Sequence, residues 1–555
     1  MEQLDFIVMI VFALLIFAIG LTFTRMGSKS GQAFFEAGGE TPWWINGLSL
    51  FISYFSAGTF VVWGSIAYKH GAVANVIQLT MAVSGFLVAI FIAAKWKRTG
   101  TRTAAEYIGK RFGTRAQQFY TYLILILSLV NTSAVLYPVG KMVYVATPFS
   151  LNACIIGIGL VIVLYTAAGG LWAVLVTDVV QFVILMAAVL IVIPAAFGEI
   201  GGVNNLFTKT PEHFFEPFTS DYTAGFMLAF IGYQTVYIGG NWSYVQRYTS
   251  VSDERNAKKV AYLFAGLYLV SPLIWMLPPM IYRVINPDLQ GLDPEGAYMM
   301  LCQRVLPAGL IGLVLSGMIS ATSSKANTTI NLAATVFAQD VYRSVFRPAA
   351  SEKEQILVAR LFTLLFGAGT IGVAMLVPLA GGIVEVVLSI AAIAGGALFA
   401  PIIWSLYSKR QNAFSVITTT IVALLINLFF KVIVPSLIGL KFNRTIETLL
   451  GVGLPLLMLA CFEWYYASKA MVSERALALE REQSNAAKPS GAHHAEARRQ
   501  NVFGVTVIVI ASAVVGLGIF SLGLAAKQNS IVMAVGGGIF VLSSIGLLRI
   551  RRAAS

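Results

Sequence analysis

The sequence predicts an all-α polytopic membrane protein with about fifteen transmembrane helices. Only 11% of its 555 residues are charged and 57% are hydrophobic, whereas about 25% of a soluble domain is charged. Apolar runs of about 20 residues, the length needed to cross a bilayer, recur along the whole chain. Basic residues cluster between these runs, as they do in cytoplasmic loops. Together these observations exclude an ordinary soluble protein.

The predicted spans follow from the uncharged or nearly uncharged runs in chain order. They lie at residues 6–24, 42–68, 72–94, 119–146, 148–168, 171–197, 222–246, 260–282, 305–339, 361–384, 386–408, 413–440, 449–459, 502–526 and 530–548. The division at Gly381-Gly382 and the short run at 449–459 are the weakest boundaries. The predicted number of spans is therefore thirteen to fifteen.

The distribution of Lys and Arg predicts how the chain is oriented. With the N-terminus outside and the C-terminus in the cytoplasm, most of the 38 basic residues fall on the inner side, including the clusters at 95–115, 247–259 and 469–499. We therefore expect a multi-pass protein of the cell membrane. The orientation also explains the net charge of +13 without a nucleic-acid partner.

The sequence lacks the residue clusters that metal sites, enzyme active sites and nucleotide-binding sites require. The three cysteines are far apart, and the four histidines have no metal-ligand spacing. Carboxylates and histidines form no catalytic cluster and there is no nucleotide-binding loop, so neither an enzyme nor a nucleotide-driven pump is expected. The expected partners are the lipid bilayer and a small-molecule solute; the residues identify no protein partner.

Two predicted spans are interrupted near their middles. Residues 42–68 contain Ser56-Ala57-Gly58, and residues 222–246 contain Gly239-Gly240-Asn241. Non-helical backbone at membrane depth is tolerated only where it lines a cavity or is buried in protein. Interruptions at corresponding positions of two halves are the best sequence sign of a transporter's midplane site. Small residues that only allow close helix packing are the alternative.

Asp178 and Lys325 are charges deep inside predicted spans, where charges usually face a cavity or a partner. Lys325 shares one helix face with Ala321, Ser324 and Thr328, at spacings i, i+3, i+4 and i+7, and Asn327 flanks it. Such a polar stripe supplies oxygen ligands for a small cation. A structural ion pair in the bundle is the alternative.

Three segments resemble the sodium/solute symporter family. They are Tyr165-Thr166-Ala167-Ala168-Gly169-Gly170-Leu171-Trp172-Ala173-Val174 followed by Thr177-Asp178 and Gln181, then Asn241 with Gln246-Arg247, and finally Asn331, Thr335-Val336-Phe337 and Asp340-Val341-Tyr342. The resemblance extends over roughly residues 6–409. It implies a LeuT-like inverted repeat of five plus five helices with one preceding helix and peripheral C-terminal helices.

The resemblance also implies how the chain is divided. The parts are a leading helix at 1–30, a first repeat at 42–197, an outer loop at 198–221, a second repeat at 222–408, peripheral helices at 411–468, a cytoplasmic loop at 469–501 and a C-terminal helix pair at 502–555. The outer loop could form a small lid. The charged cytoplasmic loop is predicted to be a solvated helix followed by a flexible linker.

The main sodium site of the family lies between its first and eighth core helices. By position, Ile52, Phe55 and Ala321 would supply backbone oxygens and Ser324 a hydroxyl. Lys325 stands where the family has a second hydroxyl residue. A further sodium site in some members would correspond to Asp178, Ser324, Asn327 and Thr328. No cofactor is implied other than this possible sodium ion.

Lys325 leaves three coupling schemes open. Its ammonium could occupy the main sodium position, paired with Asp178, and make transport independent of sodium. A desolvated lysine could instead titrate and couple transport to protons. Sodium could also remain at the Asp178 site, and sodium coupling is the default that the resemblance implies.

The resemblance places the solute pocket at six residues, namely Tyr54, Thr59, Gln78, Gln234, Tyr237 and Tyr268. These neutral hydrogen-bonding and aromatic side chains would suit a neutral, sugar-like solute, although several differ from those of the family's sugar carriers. The predicted function is secondary active transport of a small polar organic solute by alternating access. There are two alternatives, a channel and a solute sensor built on the carrier scaffold.

Overall fold

In the computed structural model, the described part of the chain comprises residues 1–27, 41–101, 103–164, 171–338, 342, 346, 347, 349, 351–439, 442–485, 491–526 and 529–554. All regular structure within it is helical. The predicted fold class is therefore confirmed.

The described residues of the first half of the chain form eleven helices, numbered in chain order. They are α1 (Gln3–Gly27), α2 (Trp43–Ile52), α3 (Gly64–His70), α4 (Ala72–Arg98), α5 (Ala104–Phe112), α6 (Thr114–Ala146), α7 (Leu151–Leu164), α8 (Leu171–Glu199), α9 (Val203–Thr208), α10 (Ala224–Gly240) and α11 (Trp242–Thr249). A π-helical turn, Thr59–Trp63, leads into α3, and another, Val88–Ile92, lies within α4.

The second half continues in the same way. Its helices are α12 (Glu254–Trp275), α13 (Leu277–Ile285), α14 (Ala297–Val305), α15 (Leu310–Val336), α16 (Glu352–Leu376), α17 (Ile383–Ser405), α18 (Ala413–Leu437), α19 (Arg444–Ser468), α20 (Glu474–Asn485), α21 (Gly491–Ala525) and α22 (Ser530–Ala554). Short 3₁₀ turns at Asp293–Gly296 and Val377–Ala380 precede α14 and α17.

Within the described residues, ten helices are long and apolar enough to cross a membrane, and four further apolar helices are shorter. The precise number of fifteen spans stays a prediction. The division at Gly381-Gly382 is confirmed, because both glycines have positive φ and separate the Val377–Ala380 turn from α17. The run predicted at 449–459 is longer than expected, since α19 extends over Arg444–Ser468.

Both predicted interruptions are present. The first broken span consists of α2, an irregular segment at residues 53–56, the Thr59–Trp63 turn and α3. The second consists of α10 and α11, separated at Asn241. The two broken spans pack around α4 and α12, and α2 also contacts α8. The core of the molecule therefore forms around the two interruptions.

The leading helix α1 is bound to the start of α15. Asp5 is buried, and its Oδ1 atom accepts hydrogen bonds from the backbone N–H groups of Gly309, at 2.8 Å, and Gly312, at 3.1 Å. A carboxylate at a helix N-terminus satisfies free N–H groups and interacts favourably with the helix dipole. A Cβ atom on Gly312 would lie 2.1 Å from the Asp5 carbonyl oxygen, so the contact requires glycine.

The cytoplasmic loop predicted at 469–501 is partly different from expectation. The predicted helix is confirmed as α20, which lies against α5. Arg111 of α5 is buried and donates to the Ser473 hydroxyl and to the carbonyls of Ser408 and Gln411. Residues 491–501, assigned to a flexible linker, instead form the first turns of α21. Their Ala, Glu, Arg and Gln residues favour helix, which explains the difference.

Candidate functional site

The first interruption is held open by its own side chains. The Thr59 hydroxyl donates to the Tyr54 carbonyl at 2.7 Å and accepts from the Ser56 N–H at 3.1 Å. These bonds satisfy backbone groups that a continuous helix would have paired internally. Thr59 was predicted to contact solute, but it is buried and its hydroxyl is already engaged in this turn. Its hydroxyl therefore shapes this turn, three residues after Ser56, and its contact with solute stays a prediction.

The second interruption is stabilised from a neighbouring helix. Trp96 of α4 donates its indole N–H to the Gly239 carbonyl at 2.7 Å, and the Tyr248 hydroxyl donates to the Ile238 carbonyl at 3.2 Å. The Asn241 side chain accepts from the Ser243 N–H at 3.0 Å and thereby caps α11. The carbonyls freed at this break thus have fixed partners, and the geometry of the break is well determined.

Aromatic side chains from both broken spans and from α12 meet between the interruptions. The ring centroid of Tyr54 lies 6.3 Å from that of Tyr237, 6.0 Å from that of Tyr268 and 5.3 Å from that of Tyr244. Three predicted pocket residues are therefore brought together. Tyr244 was not predicted. Its place seven residues after Tyr237 could have suggested it, since both were expected on the same interrupted span.

Three of the predicted pocket residues carry polar atoms without protein partners. Among the described residues, the Tyr54 hydroxyl, the Gln234 Oε1 atom and both polar atoms of the Gln78 amide are buried without a hydrogen-bond partner. Gln78 lies on α4 and Gln234 on α10, and these helices pack together. Buried polar atoms without partners are costly. Hydroxyl or amide groups of a bound molecule would satisfy these atoms on three of the six predicted pocket residues.

Asp178 is buried between the first broken span and α11. Its Oδ2 atom accepts from the Ser49 hydroxyl at 2.6 Å and lies 3.8 Å from an Arg247 guanidinium nitrogen. Arg247 also donates to the Ser49 hydroxyl, from Nε at 3.3 Å and from a terminal nitrogen at 3.2 Å. Asp178, Ser49 and Arg247 therefore form one buried polar cluster that joins α8, α2 and α11.

Lys325 lies next to this cluster but has a different partner. Its ammonium nitrogen donates to the Ser53 carbonyl, at the first interruption, over 3.3 Å. Among the described side chains, the ion-pair partner of Asp178 is Arg247, so the direct pair predicted between Lys325 and Asp178 is not formed. Ser49 and Arg247 both approach the Oδ2 atom of Asp178.

The exposure of Lys325 shows which side of the site is open. The Lys325 side chain is exposed, whereas every residue of the first broken span from Thr59 to Tyr68 is buried. Ile52 and Phe55 are buried and Ala321 is half-buried. The side chains of Ser324, Asn327 and Thr328 lie outside the described part of the chain. Of the described residues around the first interruption, those near Lys325 are therefore on its more open side.

Arg247 and Ser49 are site residues that the sequence did not identify as such. Arg247 was predicted to belong to a basic cytoplasmic cluster and to a segment that resembles the family, and Ser49 was not singled out. The signal that could have found Arg247 is its place six residues after the Asn241 break, together with the need of buried Asp178 for a cation.

Comparison with known proteins agrees with this arrangement. The model of the family described as "Sodium:solute symporter family" matches residues 34–423, which is more than half of the chain. The chain belongs to the sodium:solute symporter family. The Tyr165–Gly170 part of the signature that suggested this family lies outside the described residues. The family is one of solute symporters and not of enzymes, in agreement with the prediction.

Curated relatives in the symporter family include cotransporters of polyols and sugars. The chain is 28% identical over 414 residues to sodium/myo-inositol cotransporter 2 of Oryctolagus cuniculus, covering 66% of this chain and 60% of the relative. It is 28% identical over 462 residues to sodium/glucose cotransporter 1 of Mus musculus, covering 74% and 68%. The chain thus spans about 60% of the length of the myo-inositol relatives that it matches.

Solved structures of symporters share the fold. A Na⁺-coupled sialic acid symporter in an outward-open state superposes with a TM-score of 0.70 at 21% identity, covering 85% of this chain and 99% of that one. Mhp1, a nucleobase-cation-symport-1 family transporter, gives a TM-score of 0.52 at 15% identity and covers 80% and 97%. These similarities support the LeuT-like architecture.

Proposed function

We propose that this protein is a secondary active carrier that moves a small, neutral, polyhydroxylated solute across the cell membrane by alternating access. The observation that carries the proposal is the uncharged set of side chains that the two broken spans, α4 and α12 contribute. Among them, Tyr54, Tyr237 and Tyr268 provide aromatic faces, and the partnerless polar atoms of Tyr54, Gln78 and Gln234 provide hydrogen-bonding groups. A sugar or cyclitol ring presents apolar faces and hydroxyl groups to both.

The coupling ion that family membership favours is sodium. A hard cation binds oxygen ligands, and the carbonyls of Ile52, Phe55 and Ala321 with the Ser324 hydroxyl would supply them at the main site. A second sodium ion would use Asp178, Ser324, Asn327 and Thr328. Asp178 fits this role because it is the one carboxylate among the described residues of the site.

A second candidate is favoured by the Lys325 contact. The ammonium group donates to a carbonyl at the interruption, as a sodium ion at the main site would contact carbonyls there. In this scheme Lys325 supplies the positive charge. Transport is then sodium-independent if the ammonium stays protonated, and it is coupled to protons if the ammonium titrates. Sodium at the Asp178 site with Lys325 at the main site is compatible with both observations.

An uptake experiment distinguishes these schemes. Purified protein in liposomes is assayed with radiolabelled myo-inositol and glucose, in sodium and in choline buffers. If sodium is the coupling ion, choline abolishes uptake by the wild type. If Lys325 replaces sodium, the wild type takes up solute equally in both buffers and Lys325→Ser becomes sodium-dependent. Lys209→Ser, in an exposed loop, is the control.

Uptake also separates a carrier from a sensor on the same scaffold. A sensor would bind the solute, detected as a rise in melting temperature, without accumulating it in liposomes. Binding without accumulation in every buffer would contradict the proposed carrier function.

A further inference from the structure

The segment between α13 and α15 covers the end of the first broken span. The Tyr68 hydroxyl donates to the Asn286 carbonyl and accepts from the Leu289 N–H. The Phe60 ring stacks on Tyr298 of α14 with 3.8 Å between centroids. Residues 286–309, here named the outer cover, therefore lie over the side of the site that is closed.

One buried carboxylate joins the outer cover to two other helices. Glu295 is 3% exposed. Its Oε2 atom accepts from the Tyr137 hydroxyl of α6 at 2.6 Å, and its Oε1 atom accepts from the Ile383 N–H of α17 at 2.9 Å. Ile383 is the first residue of α17, where a carboxylate satisfies a free N–H group and interacts favourably with the helix dipole.

The backbone of α17 is adapted to this contact. Gly382 precedes the helix with φ at 94°, a conformation that favours glycine. A Cβ atom at Gly382 would lie 2.6 Å from the Glu295 Oε1 atom. The carboxylate can therefore approach the helix start only because residue 382 has no side chain.

A carboxylate is suited to a contact that must form and break. A carrier that works by alternating access has to open the closed side, which separates the outer cover from α17 or α6. The Glu295 oxygens can exchange the two protein donors for water when this happens, so the open state keeps the carboxylate hydrogen-bonded. A purely apolar contact would expose hydrophobic surface instead.

We propose that Glu295 is a positioning residue of the outer gate. It holds the outer cover, α6 and α17 together while the solute site is open on the Lys325 side, and it releases them when the outer side opens. This inference rests on the proposed alternating-access function.

Cys302 provides a reporter within the outer cover. It lies on α14, four residues after Tyr298, and is fully buried. The protein, with Cys154→Ser and Cys461→Ser to remove the other thiols, is reconstituted in lipid nanodiscs. The rate at which a fluorescent maleimide labels Cys302 then measures opening of the cover, whichever way the protein faces.

Three variants test the role of Glu295. Glu295→Met removes both acceptor oxygens at similar side-chain length, and we expect labelling about tenfold faster than in the parent, because two hydrogen bonds to a carboxylate are lost. Tyr137→Phe removes one bond and should give a smaller increase. Asp293→Met, at an exposed position of the same turn, should label at the parent rate.

Equal labelling of Glu295→Met and Asp293→Met would overturn the proposal. If Glu295→Met does not fold, as judged by its melting curve, Tyr137→Phe decides by the same comparison. Labelling of Cys302 requires no transport. A failure of the uptake experiment, which tests the carrier function, can therefore be distinguished from a failure of the labelling experiment, which tests the role of Glu295.

Discussion

At the scale of single residues, the buried polar cluster of Asp178, Ser49 and Arg247 determines how charge is balanced at the site. Two cations, Arg247 and Lys325, lie near one carboxylate, and only Arg247 pairs with it directly. Desolvated charges are stable when paired and hydrogen-bonded. The Ser49 hydroxyl contributes by bonding both members of the pair.

We predict that Asp178→Asn destabilises the protein by about 3–5 kcal/mol, because it leaves the Arg247 guanidinium buried without its counter-charge. Arg247→Gln introduced in addition should recover part of this loss. Thermal unfolding in detergent measures both effects. A melting temperature of Asp178→Asn equal to that of the wild type would contradict the prediction.

A second prediction at this scale concerns the positive charge of Lys325. Lys325→Met keeps the length of the side chain but removes the ammonium, so the Ser53 carbonyl loses its donor. If the ammonium takes the place of an ion, Lys325→Met should lose most uptake in choline buffer. Uptake unchanged in Lys325→Met would show that the charge is not needed.

At the scale of elements, the positions of the two helix interruptions were predictable from the sequence. The residues that form hydrogen bonds and ion pairs with them were not. Ser56-Ala57-Gly58 and Gly239-Gly240-Asn241 contain residues with low helix propensity, which the sequence shows directly. Trp96 donates to the second interruption from another helix, 143 residues away in the chain. The pairing of Asp178 with Arg247 is similarly non-local. Contacts of this kind depend on helix packing, and one sequence does not reveal them.

We predict that Trp96→Phe destabilises the protein by about 1–3 kcal/mol, since the Gly239 carbonyl would be buried without a donor. Solute uptake should fall as well, because the break lies beside Tyr237. The matched control is Trp464→Phe, as Trp464 is 76% exposed on α19. Equal melting temperatures for the two variants would contradict this role of Trp96.

At the scale of the whole molecule, burial distinguishes the two faces of the carrier. The outer half of the first broken span is buried under the outer cover, and Lys325 is exposed on the other side. With the N-terminus outside, as the basic residues predict, this conformation is inward-facing. The side of the membrane that this conformation faces therefore depends on the orientation of the chain in the bilayer.

We predict that a cysteine at Lys209 reacts with a membrane-impermeant maleimide added to intact cells, and that one at Arg255 reacts only after permeabilisation. Both positions are exposed, Lys209 in a loop and Arg255 in the first turn of α12, and they lie on opposite predicted sides. The test uses a background in which Cys154, Cys302 and Cys461 are replaced by serine. The reverse pattern of labelling would invert the orientation and the direction assigned above.

The contact between Asp5 and the start of α15 also links two distant parts of the chain. The Asp5 carboxylate caps the helix that carries Lys325, although Gly309, which donates to it, lies 304 positions further along the chain. An apolar side chain at position 5 would leave the Gly309 and Gly312 N–H groups without this acceptor. Variants of the leading helix therefore act on the lysine-bearing helix as well as on their own.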